Sequence, residues 1–229
     1  MGTLIITLRA KDGIVLAGDS RGTVGDPRGL TAMRDTETKL FKLSTYVGLG
    51  ISGSSELAAS LVDVLNPKIE QGKLEHIDAI MGKTREVAKQ CYDDWFAKFP
   101  LKDRPGLLLT LCGYEKAMGK SEPKTYLLGS VMDFAPQLFP DGNCLAGVVQ
   151  YAVYLMHRFY DPSMTCEQAC RLAAYLITET ATQDPKVGGT IKMARIRPSG
   201  LLWVGDEEIK SMIQRNEEQN KQLRASFKR

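Results

Sequence analysis

The order in which the hydrophobic period changes along this chain constrains its fold more than any other feature. Residues 4–9 and 14–19 are β-rich runs joined by Ala10-Lys11-Asp12-Gly13, with Asp-Gly marking a hairpin. A loop rich in Gly, Pro and Asp is predicted over 24–36, and a second hairpin over 39–43 and 46–51 around Ser44-Thr45. The period then becomes helical. Leu57, Leu61, Val64 and Leu65 mark a first helix ending near Asn66-Pro67 or Gly72; Ile77, Ile80, Met81, Val87, Ala88, Cys91, Tyr92, Trp95 and Phe96 mark a second. Residues 107–114 read as a strand apolar on both faces, hence central, followed by a polar turn over 115–123 and a strand over 124–128. Segment 133–145 reads as irregular, and a third helix is predicted over 146–160, stopped by Asp161-Pro162. A fourth opens on a capping box, Thr165 to Gln168, and closes at Asp184-Pro185. Strands over 190–197 and 201–204 precede a last helix from Asp206. Strands, two helices, strands, two helices, strands: this order predicts an α+β chain of two sheets stacked face to face between helix layers. Gly48, Gly50 and Gly53 weaken one strand, which calls for close approach by another chain or a substrate backbone.

Composition narrows the function. The 229 residues are 43% hydrophobic and 25% charged, enough for one large domain with a full core. A net charge of +3 gives no strong basic field, so nucleic acid is not an expected partner. Cys91, Cys112, Cys144, Cys166 and Cys170 form no CxxC pair, and His76 and His157 are the only histidines. Reduced, mostly buried thiols are expected, with no metal and no cofactor. No apolar run reaches membrane-spanning length, and the start lacks the pattern of a signal peptide. Ile6 occupies the position where a myristoylation signal needs Ser or Thr. A cytoplasmic protein without a membrane partner is expected.

The start of the chain carries candidate chemistry. Thr3 follows Met1-Gly2 and precedes an apolar strand. Removal of Met1 and Gly2 would leave a hydroxyl nucleophile beside its own α-amine, whose unperturbed pKa of about 7.7–8.0 suits proton transfer near neutrality. Glycine at position 2 suits self-cleavage, because the peptide must twist for the hydroxyl to reach the Gly2 carbonyl. The second run ends Gly18-Asp19-Ser20-Arg21, delivering a carboxylate and a guanidinium to a strand end.

With Gly2-Thr3, the stretch from Asp12 to Arg21, Lys39-Leu40-Phe41, Thr45-Tyr46-Val47-Gly48 with Gly53, and Asp184 with Gly188-Gly189, the chain resembles a proteasome β-type subunit of the N-terminal-nucleophile (Ntn) hydrolase superfamily over about residues 3–205. The resemblance implies a four-layer αββα sandwich. It makes Met1-Gly2 a short propeptide and 3–205 the hydrolase domain, whereas 206–229, a charged helical tail of the same domain, is long and departs from the family pattern. It implies that Thr3 is the nucleophile, with Lys39, Asp19, Arg21 and Asp184 in the catalytic set. The Gly53 N–H would serve as oxyanion donor, and Gly2 would be the processing residue. Gly22, Thr31, Met33, Ile51 and Ser55 are the candidate pocket walls. Peptides or unfolded proteins would be substrates, copies of the chain would share a ring, and an unfoldase or regulatory cap would be a further partner.

The sequence also departs from that family. A serine that precedes the third helix falls on Gly147, and a serine three residues after the aspartate falls on Val187. Water, Asn143 or Thr190 would have to supply these hydroxyls, or they are lost. The stretch from Arg21 to Lys39 is a few residues longer than usual. Two further readings therefore stand beside a threonine peptidase: a proteasome-related transpeptidase or amidase, and a structural ring subunit whose Thr3 never matures. Tyr92, Trp95, Phe96, Tyr151, Tyr154 and Tyr160 are expected to leave aromatic surface for subunit contacts, with Ile209, Met212 and Ile213 adding to an outer wall.

Overall fold

The computed structural model describes residues 2–26, 29–117 and 120–228. Strands β1 (Leu4–Ala10) and β2 (Gly13–Gly18) pair antiparallel around Lys11-Asp12. The turn aspartate also reaches across the fold: the Asp12 carboxylate accepts the Cys166 N–H at 2.7 Å and the Arg197 guanidinium at 2.9 Å. Next come β3 (Gly22–Asp26) and β4 (Gly29–Arg34), then β5 (Leu40–Lys42) and β6 (Val47–Ser52). Helices α1 (Ser55–Gln71) and α2 (Ile77–Trp95) lead to β7 (Leu108–Ala117), β8 (Lys120–Gly129), β9 (Pro136–Leu138) and β10 (Cys144–Gly147). Then follow α3 (Gln150–Phe159), α4 (Cys166–Gln183), β11 (Lys192–Arg197), β12 (Gly200–Trp203) and α5 (Asp206–Ser226).

One five-stranded antiparallel sheet runs β10-β1-β2-β11-β12, the other β5-β6-β7-β8-β9, and β3-β4 stands apart as a hairpin. Three apolar clusters separate four layers. Ile5, Ile14, Leu16, Ala194 and Ile196 meet Leu40, Cys112 and Tyr114 between the sheets. Leu4, Ile6, Leu8, Val15 and Ala17 pack against α3, α4 and α5, whereas Leu49, Ile51, Leu109 and Leu111 pack against α1 and α2. Successive residues of β1 and β2 thus serve different layers, which is why these strands are almost continuously apolar. The four-layer α+β sandwich is the expected architecture.

Several local expectations are corrected. The described residues of segment 24–36 belong largely to the β3 and β4 strands, where the sequence predicts a loop. Within the expected polar turn over 115–123, the described residues 115–117 and 120–123 are strand: Glu115 pairs with Glu122, and Ala117 with Lys120. Segment 133–145 contains β9 and the start of β10, and β10 pairs Gly147 with Leu4 and Ala146 with Ile5, so the third helix begins only at Gln150. Pro67 sits inside α1, which ends against Gly72, where the Gly72 N–H donates to the Lys68 carbonyl at 3.1 Å. Gly48 and Gly50 serve neither a second chain nor a substrate. A Cβ at Gly50 would lie 2.5 Å from Ile5 Cγ2 and one at Gly48 2.9 Å from Leu16 Cδ2, so these glycines let the sheets approach.

The aromatic surface is smaller than the sequence implies. Tyr92 is buried, edge-on to Phe96 and Phe134; Trp95 and Phe96 pack on the same core; and the Tyr160 hydroxyl donates to the Arg9 carbonyl at 3.1 Å. Tyr151 and Tyr154 remain exposed. Ile209 and Met212 are buried in the chain's own core with Ile213 packed beside them, so they form no outer-wall contact.

Candidate active site

Small residues at the end of β2 let neighbouring chain crowd onto Asp19, whose side chain is fully buried. Its Oδ1 accepts the Leu4 N–H and Lys39 Nζ, both at 2.9 Å. Its Oδ2 accepts the Arg21 N–H at 3.2 Å and the Gly188 N–H at 3.1 Å. A buried carboxylate is tolerated only when paired and hydrogen-bonded, and Asp19 has four donors. Lys39, also buried, donates to the Arg21 carbonyl at 2.6 Å and lies 3.5 Å from the Gly2 carbonyl oxygen. Burial pushes Lys39 below the ordinary lysine value, against the opposing pull of Asp19.

Thr3 leads into β1 and is buried. Its Oγ1 donates to the Gly2 carbonyl oxygen at 2.5 Å, and its own carbonyl accepts the Val148 N–H at 2.7 Å. The Thr3 hydroxyl and the Lys39 ammonium therefore converge on one carbonyl, the one that links Gly2 to Thr3. A side chain at Gly2 would run into Lys186. Gly147, with φ +96°, leaves no room for a side chain either: a Cβ there would collide with the Thr3 carbonyl oxygen and lie 2.9 Å from Ser52 Oγ.

Arg21 stands just outside this centre. Its guanidinium grips Asp35 through two bonds of 2.7 and 2.9 Å and donates to the Pro185 carbonyl at 3.1 Å. This pairing holds Asp35 below and Arg21 above their ordinary values. Asp184 is engaged in the turn that follows α4. Its Oδ1 accepts the Lys186 N–H at 2.8 Å, so it shapes the turn whose Lys186 packs against Gly2. Thr190 is engaged with the Ser20 hydroxyl at 3.0 Å, and Asn143 accepts the Arg9 N–H at 2.9 Å. Val187 is fully buried among apolar side chains.

Beside Thr3 opens a cleft of about 510 Å³. Gly2, Thr3, Arg21, Gly22, Met33, Lys39, Ile51 and Gly53 line it, among them three of the five candidate pocket walls, Gly22, Met33 and Ile51; the side chains of the other two, Thr31 and Ser55, lie outside the described residues. Gly53 joins β6 to α1 with φ +150°, and a Cβ there would lie 2.8 Å from Leu107 Cδ1, so the turn requires glycine. Ser54 caps α1 through the Leu57 N–H, at 3.5 Å. The sequence reading missed Arg34, Glu37, Glu56 and Ala58 in this cleft. A second cleft, of about 570 Å³, opens near the same Asp19–Lys39 pair towards Thr190, Lys192 and Trp203.

Comparison with known proteins agrees with this architecture. Residues 1–196 match the family model described as proteasome subunit. The chain is similar to the proteasome subunit beta of Methanosphaera stadtmanae, at 26% identity over 213 residues, covering 91% of this chain and 93% of that one. The proteasome subunit beta of Streptomyces griseus is 25% identical over 252 aligned residues, covering 99% and 81% respectively. Proteasome subunit beta 1 of Thermococcus onnurineus is 23% identical over 221 residues, covering 93% and 97%. With the family model spanning most of its length, this chain belongs to the proteasome subunit family.

Proposed function

We propose that the chain is a threonine-type peptidase that works in a self-compartmentalised ring, with Thr3 as nucleophile once Met1-Gly2 is removed. The observation that carries the reading is the convergence of Thr3 Oγ1 and Lys39 Nζ on the Gly2 carbonyl, at 2.5 and 3.5 Å from its oxygen. In processing, the hydroxyl attacks the Gly2 carbonyl carbon while Lys39 supports the charge developing on its oxygen. The Gly2–Thr3 C–N bond breaks, giving an ester on Oγ1 and a free Thr3 amine, and water releases Met1-Gly2 as a carboxylic acid. In turnover the same hydroxyl attacks a substrate peptide. Its proton passes to the Thr3 amine, the leaving amine is protonated, and water hydrolyses the acyl-enzyme. Asp19 fixes the ammonium, Arg21 and Asp184 hold the surrounding turns, and the Gly53 N–H, at the entry to α1, meets the oxyanion. Peptides or unfolded proteins are the substrates, copies of the chain complete the ring, and an unfoldase or cap controls entry from the cytoplasm.

The test is intact mass before and after exposure to an electrophilic peptide that traps threonine. Loss of Met1 and Gly2 followed by one adduct on Thr3, absent in Thr3→Ala, is the expected result. A chain that retains Gly2 and takes no adduct would refute it and favour a structural ring subunit. That second reading draws on Gly147 and Val187, which leave no hydroxyl where relatives of this type carry serines, while Thr190 and Asn143 bond to Ser20 and Arg9.

A further inference from the structure

The cleft beside Thr3 has a chemical bias of its own. The acyl half of a substrate stays on the nucleophile, so the side chain just before the cleaved bond enters the space nearest Thr3. That space has a buried apolar floor, Ile51 and Ala58, suited to a flexible aliphatic stem. Its wall carries a carboxylate, Glu37, whose side chain is 16% exposed. The Glu37 N–H donates to the Ser20 carbonyl at 2.9 Å, which fixes its backbone. Gly22 makes room for it: a Cβ at position 22 would lie 2.7 Å from Glu37 Cγ. A second carboxylate in the lining, Glu56, accepts the Ser54 hydroxyl at 2.6 Å.

Among the described residues, the cations of the cleft are held mainly by other carboxylates or by solvent rather than by Glu37. Arg21 is held by Asp35 and Lys39 by Asp19. Arg34 approaches Glu37 at 3.5 Å, but its side chain is 76% exposed and its Nε also donates to Thr36 Oγ1 at 3.0 Å. Such a solvated pair is weak, and a better-placed cation can displace it.

We propose that this cleft selects peptides with arginine or lysine immediately before the cleaved bond, and that Glu37 is the residue that determines the choice. The proposal rests on the peptidase reading for its register, but it is tested by binding as well as by turnover. The ligands are three tetrapeptides identical except for a last residue of Arg, Leu or Glu, each joined through that residue's carbonyl to a fluorescent amine that hydrolysis releases. Anisotropy on an unreactive Thr3→Ala chain made without Gly2, so that trimming of the initiator methionine leaves residue 3 first and the cleft open, should show the Arg peptide bound about tenfold more tightly than the Leu peptide, with the Glu peptide weakest, the scale expected of one partly desolvated charge pair. Glu37→Gln in that background should bring Arg and Leu within about threefold of each other, whereas Arg34→Ala, which removes the competing cation, should widen the gap. On the native chain, kcat/KM should follow the same order. Equal binding of the three peptides, or a preference untouched by Glu37→Gln, would overturn the inference. Should Glu37→Gln fail to fold, a preference that does not widen in Arg34→Ala overturns it instead. Arg-selective binding without turnover would remove the peptidase reading and leave the selection by Glu37 standing.

Discussion

At the scale of single residues, the centre is built by burial. Lys39 and Asp19 are a charged pair removed from water, and Lys39 is held where burial makes its neutral form easier to reach than in solution. Lys39→Ala should therefore cost at least about two orders of magnitude in peptide hydrolysis, the usual scale for an acid–base or electrostatic contributor. Lys39→Arg should recover little, because guanidinium keeps the charge but does not give up a proton near neutral pH. Steady-state rates decide this; near-native turnover in Lys39→Ala would reduce the lysine to a structural partner of Asp19. Gly147 supports a second prediction. Introducing serine there to supply the absent hydroxyl should destabilise the fold by on the order of 2–3 kcal/mol, because φ is +96° and the Thr3 carbonyl fills the space. A drop in the urea midpoint without a gain in activity is the expected outcome; faster hydrolysis would mean the hydroxyl alone was limiting. Thr3, Asp19 and Lys39 were legible as candidates because their residue types and spacing carry a recognisable pattern. The turn contact of Asp184 with the Lys186 N–H was not, since nothing in its neighbourhood tells how a carboxylate there is bonded.

Element by element, sequence and structure agree where a local signal is strong. The capping box is one such case: Thr165 Oγ1 accepts the Gln168 N–H at 3.3 Å and Gln168 Oε1 accepts the Thr165 N–H at 2.9 Å. Thr165→Ala should cost about 1 kcal/mol of stability, read as a shift in denaturation midpoint at unchanged slope. No shift would mean that α4 is fixed by its packing alone. The elements that escaped notice are short or edge strands: β9 and β10 have three and four residues, and the β3-β4 hairpin is rich in glycine. Such segments have no room for a period and take their shape from partners distant in sequence, as β10 does by pairing with β1 across more than 130 residues. The same limit explains Gly48 and Gly50, whose crowding comes from the opposite sheet and is invisible along their own strand.

At the scale of the whole molecule, the two helix layers differ in what they leave outside. The α1–α2 layer turns its large aromatics inward, with Tyr92, Phe96 and Phe134 in edge contacts. The α3 helix instead exposes Tyr151, Tyr154 and Phe159 within nine residues. Arg158 lies over the Phe159 ring at 5.5 Å and donates to the Tyr154 hydroxyl at 3.1 Å, so these side chains form one ordered amphipathic face. Aromatic and arginine side chains grouped in this way are what the cores of protein interfaces favour. Under the ring proposal this face is a contact between copies of the chain, and the net charge of +3 offers little repulsion against it. Sedimentation at micromolar concentration should accordingly give a species many times 25.3 kDa. Tyr151→Asp with Tyr154→Asp should shift it towards the monomer while leaving the circular dichroism spectrum unchanged, because both side chains lie outside the core of the single chain. A native chain sedimenting as a monomer would remove the ring. An oligomer indifferent to the two substitutions would keep the ring and move its contacts to another face.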